Sequence, residues 1–125
     1  MPQKILIVDD EPATDFLMRQ IFRHELKRGE YSLHFAHDGE EALATLEAEE
    51  DYGAVVTDLN MPGMDGMTLL GHLKTRFPKV QVLVVSAYND REKVQQATEM
   101  GALGFINKPI QVPQLKKMLK SALDH

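Results

Sequence analysis

The sequence predicts an α/β domain: a doubly wound parallel sheet with helices on both faces. Two observations carry this. Short, β-branched apolar runs alternate with helical patterns along the whole chain, and alternating strands and helices imply parallel strands joined by crossover helices. The polar residues that interrupt the apolar pattern fall at the ends of the runs. Right-handed crossovers bring those ends to one rim.

The first run, Ile5-Leu6-Ile7-Val8, is apolar throughout and predicts a strand buried on both faces, ending in Asp9-Asp10. A helix is expected over about 12–27, with Phe16, Leu17, Ile21 and Phe22 at helical spacing and Gly29 closing it. Tyr31–Ala36 predicts the second strand. Asp38 then has the character of an N-cap, with Glu41 three residues on, for a helix carrying Ala42, Leu43 and Leu46. Ala54–Thr57 predicts the third strand, which ends at Asp58. The loop Asn60-Met61-Pro62-Gly63-Met64-Asp65-Gly66 is rich in turn formers and precedes a helix over about 67–76. Val80–Val85 predicts the fourth strand, ending at Ser86. Asp90–Met100 predicts a helix with few apolar positions, mainly Val94, Ala97 and Met100, closed by Gly101. Leu103–Ile106 is a short fifth strand followed by Lys108-Pro109. Pro113 suits the first turn of a last helix, whose stripe is Leu115, Met118, Leu119, Ala122 and Leu123. No repeat, low-complexity segment or linker interrupts residues 1–125, so one domain is expected, with no effector domain attached.

Composition excludes several function classes. The chain has no cysteine, which removes disulfide frameworks and thiolate metal sites. Its formal net charge of −5 argues against direct nucleic-acid binding, which needs clustered Lys and Arg. Lys116, Lys117 and Lys120 sit on a helix with an apolar stripe and are expected to form a solvated face. The N-terminal apolar run is too short for a signal peptide, and no segment approaches the roughly 20 apolar residues of a membrane span. A soluble, cytoplasmic protein is expected. His24, His34, His37, His72 and His125 are scattered without metal-ligand spacing, and the methionines are expected as core and loop residues.

Asp9 and Asp10, Asp58, Ser86 and Lys108 each follow a different predicted strand. Taken singly, each has a plain explanation as a cap, a turn residue or a surface lysine. Arriving together at successive parallel strand ends, where open α/β sheets bind ligands, they point to one crevice. Three nearby carboxylates repel one another unless they take up protons or hold a cation. Oxygen-only ligands suit a hard ion, and Mg²⁺ keeps waters that leave room for phosphate oxygens. Lys108 and Ser86 could then bind phosphate oxygens.

Four segments resemble the receiver domains of two-component response regulators, among them the chemotaxis regulators. They are Ile-Leu-Ile-Val-Asp-Asp-Glu-Pro at 5–12, Thr-Asp-Leu-Asn-Met-Pro-Gly-Met-Asp-Gly at 57–66, Val-Val-Ser-Ala at 84–87 and Gly-Ala-Leu-Gly-Phe-Ile-Asn-Lys-Pro at 101–109. The resemblance runs from Lys4 to about Leu123. It implies a flavodoxin-like (βα)5 fold with strand order 2-1-3-4-5. Asp58 resembles the phosphoacceptor. Asp9 and Asp10 resemble the acidic pair that holds Mg²⁺ with Asp58, Asp10 directly and Asp9 through water, and the backbone carbonyl of Asn60 resembles a further ligand. Ser86 resembles the hydroxyl that moves toward the phosphoryl group, Lys108 the lysine that pairs with it, and Phe105 the aromatic switch that turns inward. Lys108-Pro109 resembles the family's cis peptide. Asn60 and Tyr88 lie where the family varies its dephosphorylation rate.

The implied activity is phosphoryl acceptance from a sensor histidine kinase or a phosphotransfer protein. It would change the face made by the fourth helix, the fifth strand and the last helix. This is a signalling switch rather than a turnover enzyme, and its expected output is an effector domain, a downstream protein or a phosphorylation-dependent homodimer. The alternative is a receiver-fold interaction module that works without phosphorylation. A flavodoxin-type carrier would want Ser, Thr and Gly where the first loop has Asp-Asp-Glu. A P-loop hydrolase would want Gly-Lys-Ser or Gly-Lys-Thr, and none is present. An aspartate-nucleophile phosphatase would want a second Asp where position 11 is Glu.

Overall fold

The computed structural model describes residues 1–49, 51–87 and 91–124. Five strands form one parallel sheet: β1 (Gln3–Val8), β2 (Tyr31–Ala36), β3 (Tyr52–Asp58), β4 (Gln81–Ser86) and β5 (Gly104–Asn107). Their spatial order is β2-β1-β3-β4-β5, as the resemblance implied. Among the described residues six helices connect and flank them: α1 (Pro12–Ile21), α2 (Arg23–Lys27), α3 (Gly39–Ala48), α4 (Gly66–Arg76), α5 (Arg91–Glu99) and α6 (Val112–Leu123). Among the described residues no helix is long and apolar enough to cross a membrane.

The alternation of strand side chains divides the core in two. Leu6, Val8, Val55, Val82 and Val84 point to one face, against Leu43 and Leu46 of α3, Leu69, Leu70 and Leu73 of α4 and Ala97 of α5. Ile5, Ile7, Val56, Leu83 and Val85 point to the other, against Met18 and Phe22 and against Leu115 and Leu119 of α6. Ile5 through Val8 are at most 2% exposed, because β1 has a strand on each side and helices above and below. Each such side chain contributes roughly 1.5–3 kcal/mol by leaving water.

Local chemistry sets the helix starts. The Asp38 carboxylate accepts the Glu41 N–H at 2.7 Å, and Asp65 accepts the Thr68 N–H at 2.8 Å, capping α3 and α4. Prolines open α1 and α6. The single helix expected over 12–27 is instead two. The chain breaks at Phe22 (φ −102°, ψ 18°), whose ring is fully buried. Half of the expected stripe is corrected: Phe16 is 68% and Leu17 46% exposed, while Ile21 and Phe22 pack on the core as expected and Met18 joins them. Glu25 of α2 lies largely buried and pairs with Lys116 of α6 at 3.1 Å. The expected start of the fourth helix at Asp90, the position Tyr88 and the terminal His125 lie outside the described residues.

Candidate functional site

β1, β3, β4 and β5 end at the same rim, where β1 delivers two of the expected groups and the others one each. Asp9 follows β1 directly and is 8% exposed; Asp10, next along, is exposed. Asp58 is the last residue of β3 and is 3% exposed. Oxygens of the Asp9, Asp10 and Asp58 carboxylates lie within 4.8 Å of one another. Ser86 ends β4 and is fully buried, and Lys108 follows β5.

Asp58 is held at both oxygens. Oδ2 accepts from Lys108 Nζ at 2.6 Å, and Oδ1 accepts the Asn60 N–H at 2.8 Å. The Lys108 ammonium is partly buried, which opposes its charge. Its hydrogen bond to Asp58 and the negative charges of Asp58, Asp9 and Glu11 outweigh that and raise its pKa above the usual lysine value. Asp9 Oδ1 accepts the Glu11 N–H at 2.9 Å, and the Asp9 N–H donates to the Ala36 carbonyl at 3.1 Å, tying the loop to the end of β2. A cavity of about 370 Å³ opens beside Asp9, Asp58 and Lys108, walled by Leu17 and Ile21 of α1 and by Ile110.

Ser86 belongs to the rim and is bonded to its β5 neighbour. Its hydroxyl donates to the Asn107 side chain at 3.3 Å, while its carbonyl accepts the Lys108 N–H at 2.9 Å. Phe105, on edge strand β5, is 39% exposed. The Lys108-Pro109 peptide is cis.

Three contributors had no role assigned from the sequence. Gly66 must lack a side chain, because a Cβ there would lie 2.4 Å from the Asp58 carbonyl oxygen and 2.6 Å from Leu59 Cα. The Asp-Gly pair closing the loop was its visible signal. Asn107 receives the Ser86 hydroxyl across the β4–β5 pair. Lys93, from α5, donates to Asn60 Oδ1 at 3.0 Å from 33 residues away, which no local pattern announces.

A cluster of three carboxylates, with no His or Cys among the gathered ligands, fits a hard divalent cation such as Mg²⁺. Bringing three carboxylates this close to one another is costly without a counter-charge beyond Lys108.

Comparison with known proteins agrees with this geometry. The response regulator receiver domain family matches residues 5–120. The response regulator protein FleR of Pseudomonas aeruginosa is 35% identical over 92% of this chain, which spans only 23% of FleR. Sporulation initiation phosphotransferase F of Bacillus subtilis is 31% identical over 98% of this chain and 95% of its own length. The crystal structure of the receiver domain of NtrX from Brucella abortus superposes with a TM-score of 0.86 at 30% identity, covering 96% of this chain and 98% of that one. The match over nearly all of the sheet and its rim settles the family: the chain is a member of the receiver domain family of two-component response regulators.

Proposed function

We propose that the domain accepts a phosphoryl group on Asp58, with Mg²⁺ bound, and works as a switch. The observation that carries this is the Asp58 carboxylate itself. It is almost fully buried, paired with Lys108 at 2.6 Å and within 4.8 Å of two further carboxylates.

Asp10, Asp58 and the Asn60 carbonyl would hold the ion, with Asp9 acting through water. Bound there, Mg²⁺ would supply the charge that lets an anionic phosphoryl group approach a carboxylate. An Asp58 oxygen attacks phosphorus, the nitrogen–phosphorus bond of a phosphohistidine protonated on its other ring nitrogen breaks, and neutral imidazole leaves with the bonding pair. Lys108 exchanges its hold on the carboxylate for a hold on a phosphoryl oxygen. Ser86 leaves Asn107 for another oxygen, and Phe105 turns into the space that opens. The α5-β5-α6 face then changes its contacts, as a population shift between two states. Water later hydrolyses the acyl phosphate, so the domain is a signalling element with no turnover of a diffusible substrate.

The donor would be a sensor histidine kinase or a phosphotransfer protein in the cytoplasm. The name of the Bacillus subtilis relative, a phosphotransferase matched over nearly its full length, supports a phosphoryl-handling role. FleR, four times longer than the matched region, supports an output through further domains.

The test is incubation with a small acyl phosphate and Mg²⁺, followed by intact mass and peptide mapping beside Asp58→Asn. The expected result is one phosphoryl adduct on the peptide containing Asp58, lost with EDTA and absent from the variant. No adduct, or one equally abundant in the variant, would leave only the phosphorylation-independent module.

A further inference from the structure

α5 is weakly anchored. Among its described residues only Ala97 is buried and Val94 half-buried; the rest of the helix is exposed. Yet its first turn carries a side chain that reaches the acceptor loop. Lys93 Nζ donates to Asn60 Oδ1 at 3.0 Å, and the Asn60 N–H donates to Asp58 Oδ1 at 2.8 Å. Lys93 also lies near the far end of that loop. The Asp65 carboxyl is held below the usual range chiefly by the Thr68 N–H it caps, and the Lys93 charge adds to that effect. A second ammonium therefore stands over the 60–65 loop. It arrives from α5, whereas Lys108 arrives from β5.

We propose that Lys93 is a positioning residue that couples the charge of the Asp58 site to the order of α5. This rests on the phosphoacceptor reading and adds a route separate from Ser86 and Phe105. The sign follows from Coulomb's law. A divalent cation alone repels the Lys93 ammonium and loosens the first turn of α5. A phosphoryl group, which adds negative charge beside the loop, draws Lys93 in and tightens that turn. The long lysine stem can follow either change while its Cα stays on the helix, so the helix end registers the pull. Because α5 has so little buried anchorage, a modest electrostatic bias is enough to shift its opening equilibrium. Lys93 is solvent-exposed, so the coupling weakens as salt rises.

The test compares wild type, Lys93→Gln and Lys93→Arg by hydrogen exchange of α5 amides in three states: metal-free, with Mg²⁺, and with Mg²⁺ plus beryllium fluoride as the phosphoryl mimic. Mass spectrometry checks occupancy, and the Phe105 ring resonances report the other route. In wild type, α5 protection should fall with Mg²⁺ alone and rise with the mimic, by on the order of two- to fivefold, the range one added charge gives across a wet gap. Lys93→Gln should lose most of that response while Phe105 still moves, and Lys93→Arg should restore it. Raising the salt to about 1 M should blunt the wild-type response, since the Debye length falls to about 3 Å. An α5 response that is unchanged in Lys93→Gln, with the mimic bound and Phe105 moving, overturns the coupling and leaves the acceptor site standing. Failure of the mimic to bind wild type overturns both.

Discussion

Replacing Asp10 by Asn should make the metal-free protein more stable. At 4.8 Å, the outer limit of the acid cluster, two unit charges repel by about 3.5 kcal/mol at an effective dielectric of about 20 and by about 0.9 kcal/mol in bulk water. Asp10 is exposed, so the lower figure is the better guide. Asp9 and Asp58 both act on it, and attraction to Lys108 cancels part of the sum. The net gain from neutralising Asp10 is about 1 kcal/mol, or roughly 3–5 °C in Tm for a domain of this size. The variant should also lose most of its Mg²⁺ affinity. Wild type at ten times its Kd gains about 1.4 kcal/mol from the ion, and the variant gains little, so the stability order reverses. Urea unfolding of both proteins, in EDTA and in saturating Mg²⁺, measures all four values. A variant that is less stable than wild type in EDTA, or equally responsive to Mg²⁺, would refute the reasoning that the acids are gathered against their mutual repulsion to hold a cation.

Three further outcomes follow from named contacts. Lys108→Met should slow acyl-phosphate labelling of Asp58 by on the order of a hundredfold, the loss expected when a preorganised charge is removed from a transferring group; labelling kinetics by mass spectrometry would show it, and an unchanged rate would dismiss the role. Gly66→Ala should cost about 1–3 kcal/mol in urea unfolding and weaken Mg²⁺ binding, because the added methyl meets the backbone of Asp58 and Leu59 rather than a movable side chain; a neutral substitution would mean the loop can move aside. His37 pairs with Asp15 at 2.7 Å, and its pKa is raised above the ordinary 6.5 by that hydrogen bond, with the charges of Asp15, Glu41 and Asp38 adding and slight burial opposing. A raised histidine contributes stability that is complete below 6.5 and is lost as pH rises through the folded-state value. Thermal scans should therefore show wild type losing its advantage over His37→Gln as pH rises above 6.5, and parallel pH profiles would show that the pair contributes nothing.

Most of the fold was legible because this sheet enforces simple patterns. β1 is buried on both faces, so its unbroken apolar run could hardly be anything else, and acids at the end of such a run must sit at a rim. β2 fell at Tyr31–Ala36 as expected, bounded by Gly29 and by the Asp38 cap. The errors came where apolar residues outnumber one helix face. Phe16, Leu17, Met18, Ile21 and Phe22 fit more than one stripe, and only the packing of Met18 and Phe22 against Ile5 and Ile7 decides which face turns inward. The break at Phe22 carries no Gly or Pro to announce it. At the site, Asp9, Asp10, Asp58, Ser86 and Lys108 were legible because each ends or follows a strand. Their pairing was not: that Lys108 holds Asp58 while Ser86 holds Asn107 depends on neighbouring strand ends in three dimensions. Lys93 was invisible for the same reason, since it reaches its partner from a separate helix.

The most direct test of the account is a crystal structure with Mg²⁺ and beryllium fluoride. It should show the fluoride group on an Asp58 carboxylate oxygen and a metal about 2.0–2.1 Å from Asp58, Asp10 and the Asn60 carbonyl. Lys108 Nζ should have moved from Asp58 Oδ2 to a fluorine. Fluoride density on another residue, or an Asp58–Lys108 pair still closed at 2.6 Å with no ion beside it, would contradict the account.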